Sequence, residues 1–329
     1  MEGTGVDVDV VVVGSGAAGL VAALTTNELG ARRVLVAEAE TVVGGSSRLS
    51  GGLILGAGTR YQIAAGVVDS ADDLFHDYMQ MNRWVVDAAT VRSFCEMSGP
   101  VVEWLGDLGV EYHDELVKAG DERTARVHVP VGNGQAVIDV LHRRCRERGV
   151  DIALGQRVDR LITRDDGTVA GVAAGDDEIT AHAVVLATGG FGNSREKLAR
   201  HFPSAAATEW TWYIGGDGAR GDAIDLGGQV GAQLVGHDHG LRLLHVDFDR
   251  NYEALLPGWL MMVVAVLAAI VAFFVMIVFG MGNSMVRRGG GWNPTGGGGG
   301  GWGGGGGGSS GGFSGGGGSF GGGGASGNW

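Results

Sequence analysis

Valines run unbroken from Val10 to Val13, and Gly14 ends them. A short continuous apolar run closed by glycine predicts a strand buried on both faces. Past Gly14-Ser15-Gly16-Ala17-Ala18-Gly19 the pattern changes to helical spacing, with Ala23 four residues beyond Gly19 and Gly30 placed to end the helix. Val34-Leu35-Val36 predicts a second strand that reaches Glu38. Apolar residues three and four apart predict helices over Ala71 to Met81, Asp87 to Met97, Pro100 to Leu108 and Gly134 to Arg148. Short alternating segments then predict strands over Asp151 to Leu154, Val158 to Thr163, Thr168 to Ala173 and Glu178 to Ala181, with Asp165-Asp166-Gly167 as a hairpin turn. Ala183 to Ala187 reads as one more strand, and Asp222 to Gly231 as one more helix.

Strand, glycine turn, helix, strand and acid in that order make a dinucleotide site. Gly14 permits the tight turn, Gly16 leaves bare backbone for a pyrophosphate, and Gly19 lets the helix pack closely on the strand. The helix N-terminus presents unpaired N–H groups to the phosphates. Glu38 is placed to accept hydrogen bonds from a ribose diol, which favours FAD or NAD over a 2′-phosphorylated cofactor. A second small-residue loop, Gly44-Gly45-Ser46-Ser47-Arg48-Leu49-Ser50-Gly51-Gly52, follows directly and favours FAD, because a flavin needs a longer cradle. The fold class is α/β, a Rossmann-like FAD-binding domain over residues 6–255 with an inserted β-meander.

These motifs, with Leu186-Ala187-Thr188-Gly189-Gly190-Phe191-Gly192 and Gly215-Gly216-Asp217-Gly218, resemble the family of fumarate reductases, succinate dehydrogenase flavoprotein subunits and ketosteroid dehydrogenases. The resemblance implies that Gly14, Ser15, Gly16, Ala17, Ala18, Gly19 and Glu38 hold the ADP part. Gly44, Gly45, Ser46, Ser47, Gly51 and Gly52 would line the pyrophosphate and flavin ring, Val158 would meet adenine through its backbone, and Ala187, Thr188, Gly189 and Asp217 would contact the cofactor. Gly45 falls where the succinate dehydrogenase subunits carry a histidine linked to flavin, so noncovalent FAD is expected. His237 and His239 lie where relatives carry a substrate-binding histidine, although a loop histidine without catalytic duty is an equal reading. Tyr213 and Arg220 flank the Asp217 turn, where they could meet a substrate carboxylate or a phosphate although a surface pair is the stronger reading, and His113 and His128 are assigned no role.

Composition divides the chain unevenly. Residues 254–286 carry no charge, and Trp259 to Phe279 is apolar throughout without Gly or Pro, long enough to cross a bilayer core. A single transmembrane helix is expected over residues 257–281. From Gly289 to Trp329, 26 of 41 residues are glycine, a composition that builds no packed core, so residues 287–329 are expected to be a disordered tail. That end resembles the glycine-rich tail that follows a transmembrane helix in bacterial TPM-domain membrane proteins. The family's substrate cap and its closing glycine-rich segment have no counterpart here, and a fusion joined near Leu256 to Leu260 is suspected.

All 37 acidic residues and all but two of the 24 basic ones precede Ala254. The resulting acidity disfavours nucleic acid as a partner. Cys95 and Cys145 lie apart, outside any Cys-x-x-Cys pair, and indicate neither a disulfide framework nor a metal cluster. The acidic start before the first strand differs from a signal peptide, so the flavin part is expected on the cytoplasmic side. Three functions compete: an FAD-dependent oxidoreductase acting on a C=C or CH–CH bond next to a carbonyl, a flavin-binding membrane module without turnover, and a membrane interaction protein carrying a relic flavin domain. The electron donor is open.

Overall fold

A computed structural model of the chain describes residues 6–118, 122–207 and 213–238. β1 (Val8–Val13) enters α1 (Ala17–Glu28), and β2 (Val34–Glu38) returns parallel beside β1 with Val36 opposite Val12. A short helix α2 (Gly45–Leu49) follows, then β3 (Ile54–Leu55), α3 (Arg60–Ala64), α4 (Ala71–Met81) and α5 (Ala88–Leu108). β4 (Val127–His128) pairs antiparallel with β3, and α6 (Asn133–Glu147) leads to β5 (Asp151–Leu154), which lies parallel to β2. β6 (Arg160–Thr163), β7 (Val169–Ala174) and β8 (Asp177–Leu186) form the meander, and α7 (Arg195–His201), α8 (Pro203–Ala206) and α9 (Asp222–Gln229) follow it. The predicted span over 257–281 and the tail over 287–329 lie outside the described residues, and no helix among the described residues is long and apolar enough to cross a membrane.

The main sheet runs β5-β2-β1-β8-β7-β6. The segments expected as two strands, Glu178 to Ala181 and Ala183 to Ala187, are one ten-residue strand, β8. Its first part pairs antiparallel with β7, with Thr180 opposite Gly171, and its second part pairs parallel with β1, with Val184 opposite Val11. The meander is therefore a hydrogen-bonded extension of the dinucleotide sheet rather than a separate layer. Strand side chains alternate between faces. Val12, Val34 and Val36 pack on one face against Leu20, Leu24 and Leu141, while Val11, Val13 and Ala37 pack on the other against Val158, Leu161 and Leu226. Burial on both faces explains the uninterrupted valines.

The pattern at Pro100 predicts a break, yet α5 continues through it. Tertiary contact overrides the proline. Gly99 lies so close to the chain before α3 that an added Cβ would stand 2.3 Å from the Ala57 carbonyl, and the Ser98 hydroxyl accepts the Ala57 N–H at 3.2 Å. Cys95, Val102 and Leu105 are buried on either side of the proline and hold both halves in one line. Burial pushes the Cys95 thiol up to about 11 and the Cys145 thiol up to about 12, which keeps both protonated.

α3, α4 and the β3/β4 ribbon are joined by a buried polar network with no sequence signature. Arg126 bonds both Asp69 oxygens at 2.8 Å and Asp77 Oδ2 at 2.6 Å, and its side chain is only 1% exposed. Gln62 Nε2 donates to Asp69, Thr59 and Gln62 form a capping box on α3, and Thr59 Oγ1 meets His128 Nε2 at 2.8 Å. Burial lowers the His128 pKa and so favours its neutral form. Removing one partner of a buried ion pair leaves an uncompensated charge. Arg126→Leu is therefore expected to cost about 3–5 kcal/mol; denaturant unfolding of the variant against the parent chain checks it, and a loss under about 1 kcal/mol would contradict a structural role for the pair.

Candidate functional site

The turn between β1 and α1 sits where three segments meet. Gly14, at φ +104°, donates its N–H to the Ala37 carbonyl at 2.8 Å, and Ala187 donates to the Val13 carbonyl at the same distance. An added Cβ on Gly14 would stand 2.4 Å from the Ala187 carbonyl oxygen, so no side chain fits between the turn and the end of β8. Gly19 is tighter still, with its absent Cβ 1.9 Å from the Gly14 carbonyl oxygen. Gly16 is less confined: a Cβ there would make only ordinary contact, with Ser47 Oγ at 3.6 Å. α1 begins at Gly16 without a side-chain cap, so its first N–H groups are available to an anion, apart from that of Ala17, which donates to Ser47 Oγ at 3.1 Å. Ala18 is exposed at this end.

Glu38 does more than the ribose role expected of it. Its carboxylate is buried, and Oε2 accepts both the N–H and the hydroxyl of Ser15, at 2.8 and 2.5 Å. Oε1 accepts the Glu40 N–H at 2.8 Å. A carboxylate offers about four acceptor directions, so about one remains for a ribose hydroxyl. Ser15 Oγ in turn accepts the Gly44 N–H at 3.1 Å, which ties the second loop to the first. Gly44, at φ +114°, starts α2. Gly45 faces open space, with nothing within 4 Å of a Cβ built on it. Gly51 is exposed, whereas Gly52 packs so closely on the start of α6 that a Cβ would lie 2.6 Å from the Gly134 nitrogen.

The far wall is formed by the chain after β8 and the start of α9. Thr188 Oγ1 accepts the Ala223 N–H at 2.9 Å, and the Gly190 carbonyl accepts the Gly221 N–H at 3.0 Å, while Gly189 is exposed. Asp222 stands at this junction, paired with Arg157 at 2.6 Å, and burial raises its pKa above the ordinary carboxylate value. Gln156 donates its N–H to the Glu38 carbonyl at 2.8 Å, so the segment carrying Arg157 and Val158 crosses the end of β2, with the Val158 side chain packed in the core.

Asp217 is exposed, and its carbonyl accepts from Asn193 Nδ2 and Arg220 Nε. The acid that reaches the wall is Asp222, and its signal was the second glycine-aspartate step, Gly221-Asp222, opening a helical pattern. Glu40 was also missed: its Oε1 accepts the Gly218 N–H at 2.8 Å and draws the 215–218 turn onto α2. Of the histidine candidates, His237 is exposed beside His201, whose carbonyl accepts the Asp238 N–H, and His239 lies outside the described residues.

A glycine turn that tolerates no side chain on two sides, an uncapped helix start and a buried acid at the end of β2 define a dinucleotide-binding flavoprotein domain. The chain belongs to the FAD binding domain family, whose profile matches residues 9–240, and its cofactor is FAD. It is 35% identical over 237 residues to a probable fumarate reductase, Ifc3, of Shewanella frigidimarina, covering 70% of this chain and 40% of the relative. Among solved structures it resembles the open conformation of a flavocytochrome c3 fumarate reductase, with TM-score 0.63, 32% identity, and coverage of 69% of this chain and 41% of that one. It also resembles the 3-ketosteroid-Δ4-(5α)-dehydrogenase of Rhodococcus jostii, with TM-score 0.62, 28% identity, and coverage of 70% and 56%. The chain spans about 40% of the length of the first curated relatives it matches.

Gly19→Ala is expected to force α1 away from β1 and abolish FAD retention on purification. Gly228→Ala in α9, where a Cβ meets nothing within 4 Å, is expected to retain full flavin. Flavin released per protein from both variants checks the pair, and a fully loaded Gly19→Ala chain would refute the close-packing argument.

Proposed function

We propose that this chain is the cofactor-holding part of an oxidoreductase that moves a hydride between FAD and a C=C or CH–CH bond next to a carbonyl. The observation that carries the reading is the hydrogen-bonded convergence of the β1–α1 turn, the Gly44–Ser47 segment, Thr188 and the Asp222 helix start, in a chain whose relatives include a fumarate reductase and a ketosteroid dehydrogenase. Those two relatives, by name, act on unlike molecules. What a dicarboxylate and an enone share is a carbon made electrophilic by an adjacent carbonyl, and that chemistry defines the substrate class. Bound FAD supplies the hydride acceptor and donor. The protein residues hold its phosphates at the α1 start, hold its ribose at Glu38, and keep the cradle closed through Ser15 and Ser47. Gly45 carries no side chain that could bond to the cofactor, which supports noncovalent binding.

The proton that accompanies the hydride needs an acid near the substrate. His237 and His239 are the candidates from sequence, and His239 lies outside the described residues. A flavin-binding module without turnover is the alternative reading. The apolar segment 257–281 is long enough to serve as a single membrane tether.

The test is made on membranes from cells expressing the full chain. Flavin that sediments with the membrane, and enters the supernatant on acid precipitation, is expected from a tethered, noncovalent site. After dithionite reduction under anaerobic conditions, reoxidation by fumarate or by a 4-ene-3-keto steroid supports the enzyme. Reduction with no reoxidation by either, or by other conjugated acids and ketones, rejects turnover and leaves the module.

A further inference from the structure

Tyr213 stands where three segments of the cleft meet. Its hydroxyl lies 2.8 Å from Ser46 Oγ, and the Gly216 N–H donates to the same serine oxygen at 2.9 Å. Its ring occupies space that two glycines leave free: a Cβ on Gly192 would stand 2.4 Å from Tyr213 Cδ2, and one on Gly215 would stand 2.1 Å from the hydroxyl. Gly192 follows the Thr188 wall, Gly215 opens the turn drawn in by Glu40, and Ser46 lies in α2 next to Ser47, whose hydroxyl accepts the Ala17 N–H at the dinucleotide turn. The tyrosine thereby touches all three segments, with its ring against Gly192 and its hydroxyl and the Gly216 N–H on one serine oxygen.

We propose that Tyr213 is a positioning residue that fixes Ser46 as a hydrogen-bond donor toward bound FAD. A serine hydroxyl has one proton and two acceptor lone pairs. Between a phenol and an alkanol, the phenol is the stronger donor and the alkanol the better acceptor, so the Tyr213 proton lies on the bond to Ser46. Tyr213 and the Gly216 N–H then fill both lone pairs. Only the Ser46 proton is left, and an incoming group meets Ser46 as a donor alone, selecting an acceptor atom of the cofactor. Burial raises the Tyr213 pKa and the Glu40 carboxylate adds to the rise, so the phenol keeps its proton at neutral pH.

This inference rests on the FAD-site reading, and the experiment separates the two. FAD affinity of the flavin-stripped full chain, the visible absorption of the bound flavin and the unfolding temperature of the stripped chain are measured for the parent, Tyr213→Phe, Ser46→Ala and the double variant. Tyr213→Phe keeps the ring and removes only the hydroxyl. It is expected to bind FAD about threefold to tenfold more weakly and to shift the flavin absorption bands, with an unchanged unfolding temperature. Ser46→Ala is expected to do the same, and the double variant to lose little more than either single one, because both changes remove one directed donor. Parent-like affinity and spectrum in Tyr213→Phe, fully multiplicative losses in the double variant, or a Tyr213→Phe chain that no longer folds would each overturn the proposal. A folded parent chain that binds no FAD would overturn the FAD-site reading instead.

Discussion

A buried carboxylate holds this cleft together. Glu38 ends β2 inside the protein, where an unpaired charge would be costly, and it is stabilised by three donors from two turns. Two of those donors belong to Ser15, which fixes the glycine turn; the Ser15 hydroxyl then receives Gly44 and fixes the start of α2. The positions of the α1 start and of the second loop therefore follow from one side chain. Each donor left unmet in the absence of the carboxylate would cost about 1–3 kcal/mol, enough to loosen both turns at once. With the carboxylate in place, the cofactor would meet a preformed cradle and spend little of its binding energy on ordering it.

The sheet makes that carboxylate possible. β2 lies beside β1, and β8 lies on β1's other edge, so Gly14 is pressed between the Ala37 carbonyl on one side and the Ala187 carbonyl on the other. Because β8 also carries the meander, the segment holding Arg157 is positioned by the same hydrogen-bonded sheet that positions the turn, and Arg157 reaches Asp222. Fold and site share one backbone framework.

The parts legible in the sequence were those set by backbone constraint or by period. The valine run, the glycine turn, the acid at the end of β2 and the helix of Gly134 to Arg148 each leave a local mark, and each falls where the pattern put it. The break at Pro100 misled because Gly99 and Ser98 pack on Ala57, a contact far away in sequence. α2, α3 and β3 are too short to show a period. In the site, Asp222 was read only as the start of a helix, and the bond from Ala223 to Thr188, which brings that helix start to the wall, has no local mark. Tyr213 was legible only as a residue beside the Asp217 turn, since its partner Ser46 is 167 positions away. Side-chain pairing across such separations has no one-dimensional signature.

The central claim is that this backbone framework is built to hold FAD. The most direct measurement is the visible absorption spectrum of the full chain purified in mild detergent, with heat-released flavin calibrated against protein. The account predicts close to one FAD per chain with a structured flavin spectrum. A folded, colourless chain that takes up no added FAD would contradict it.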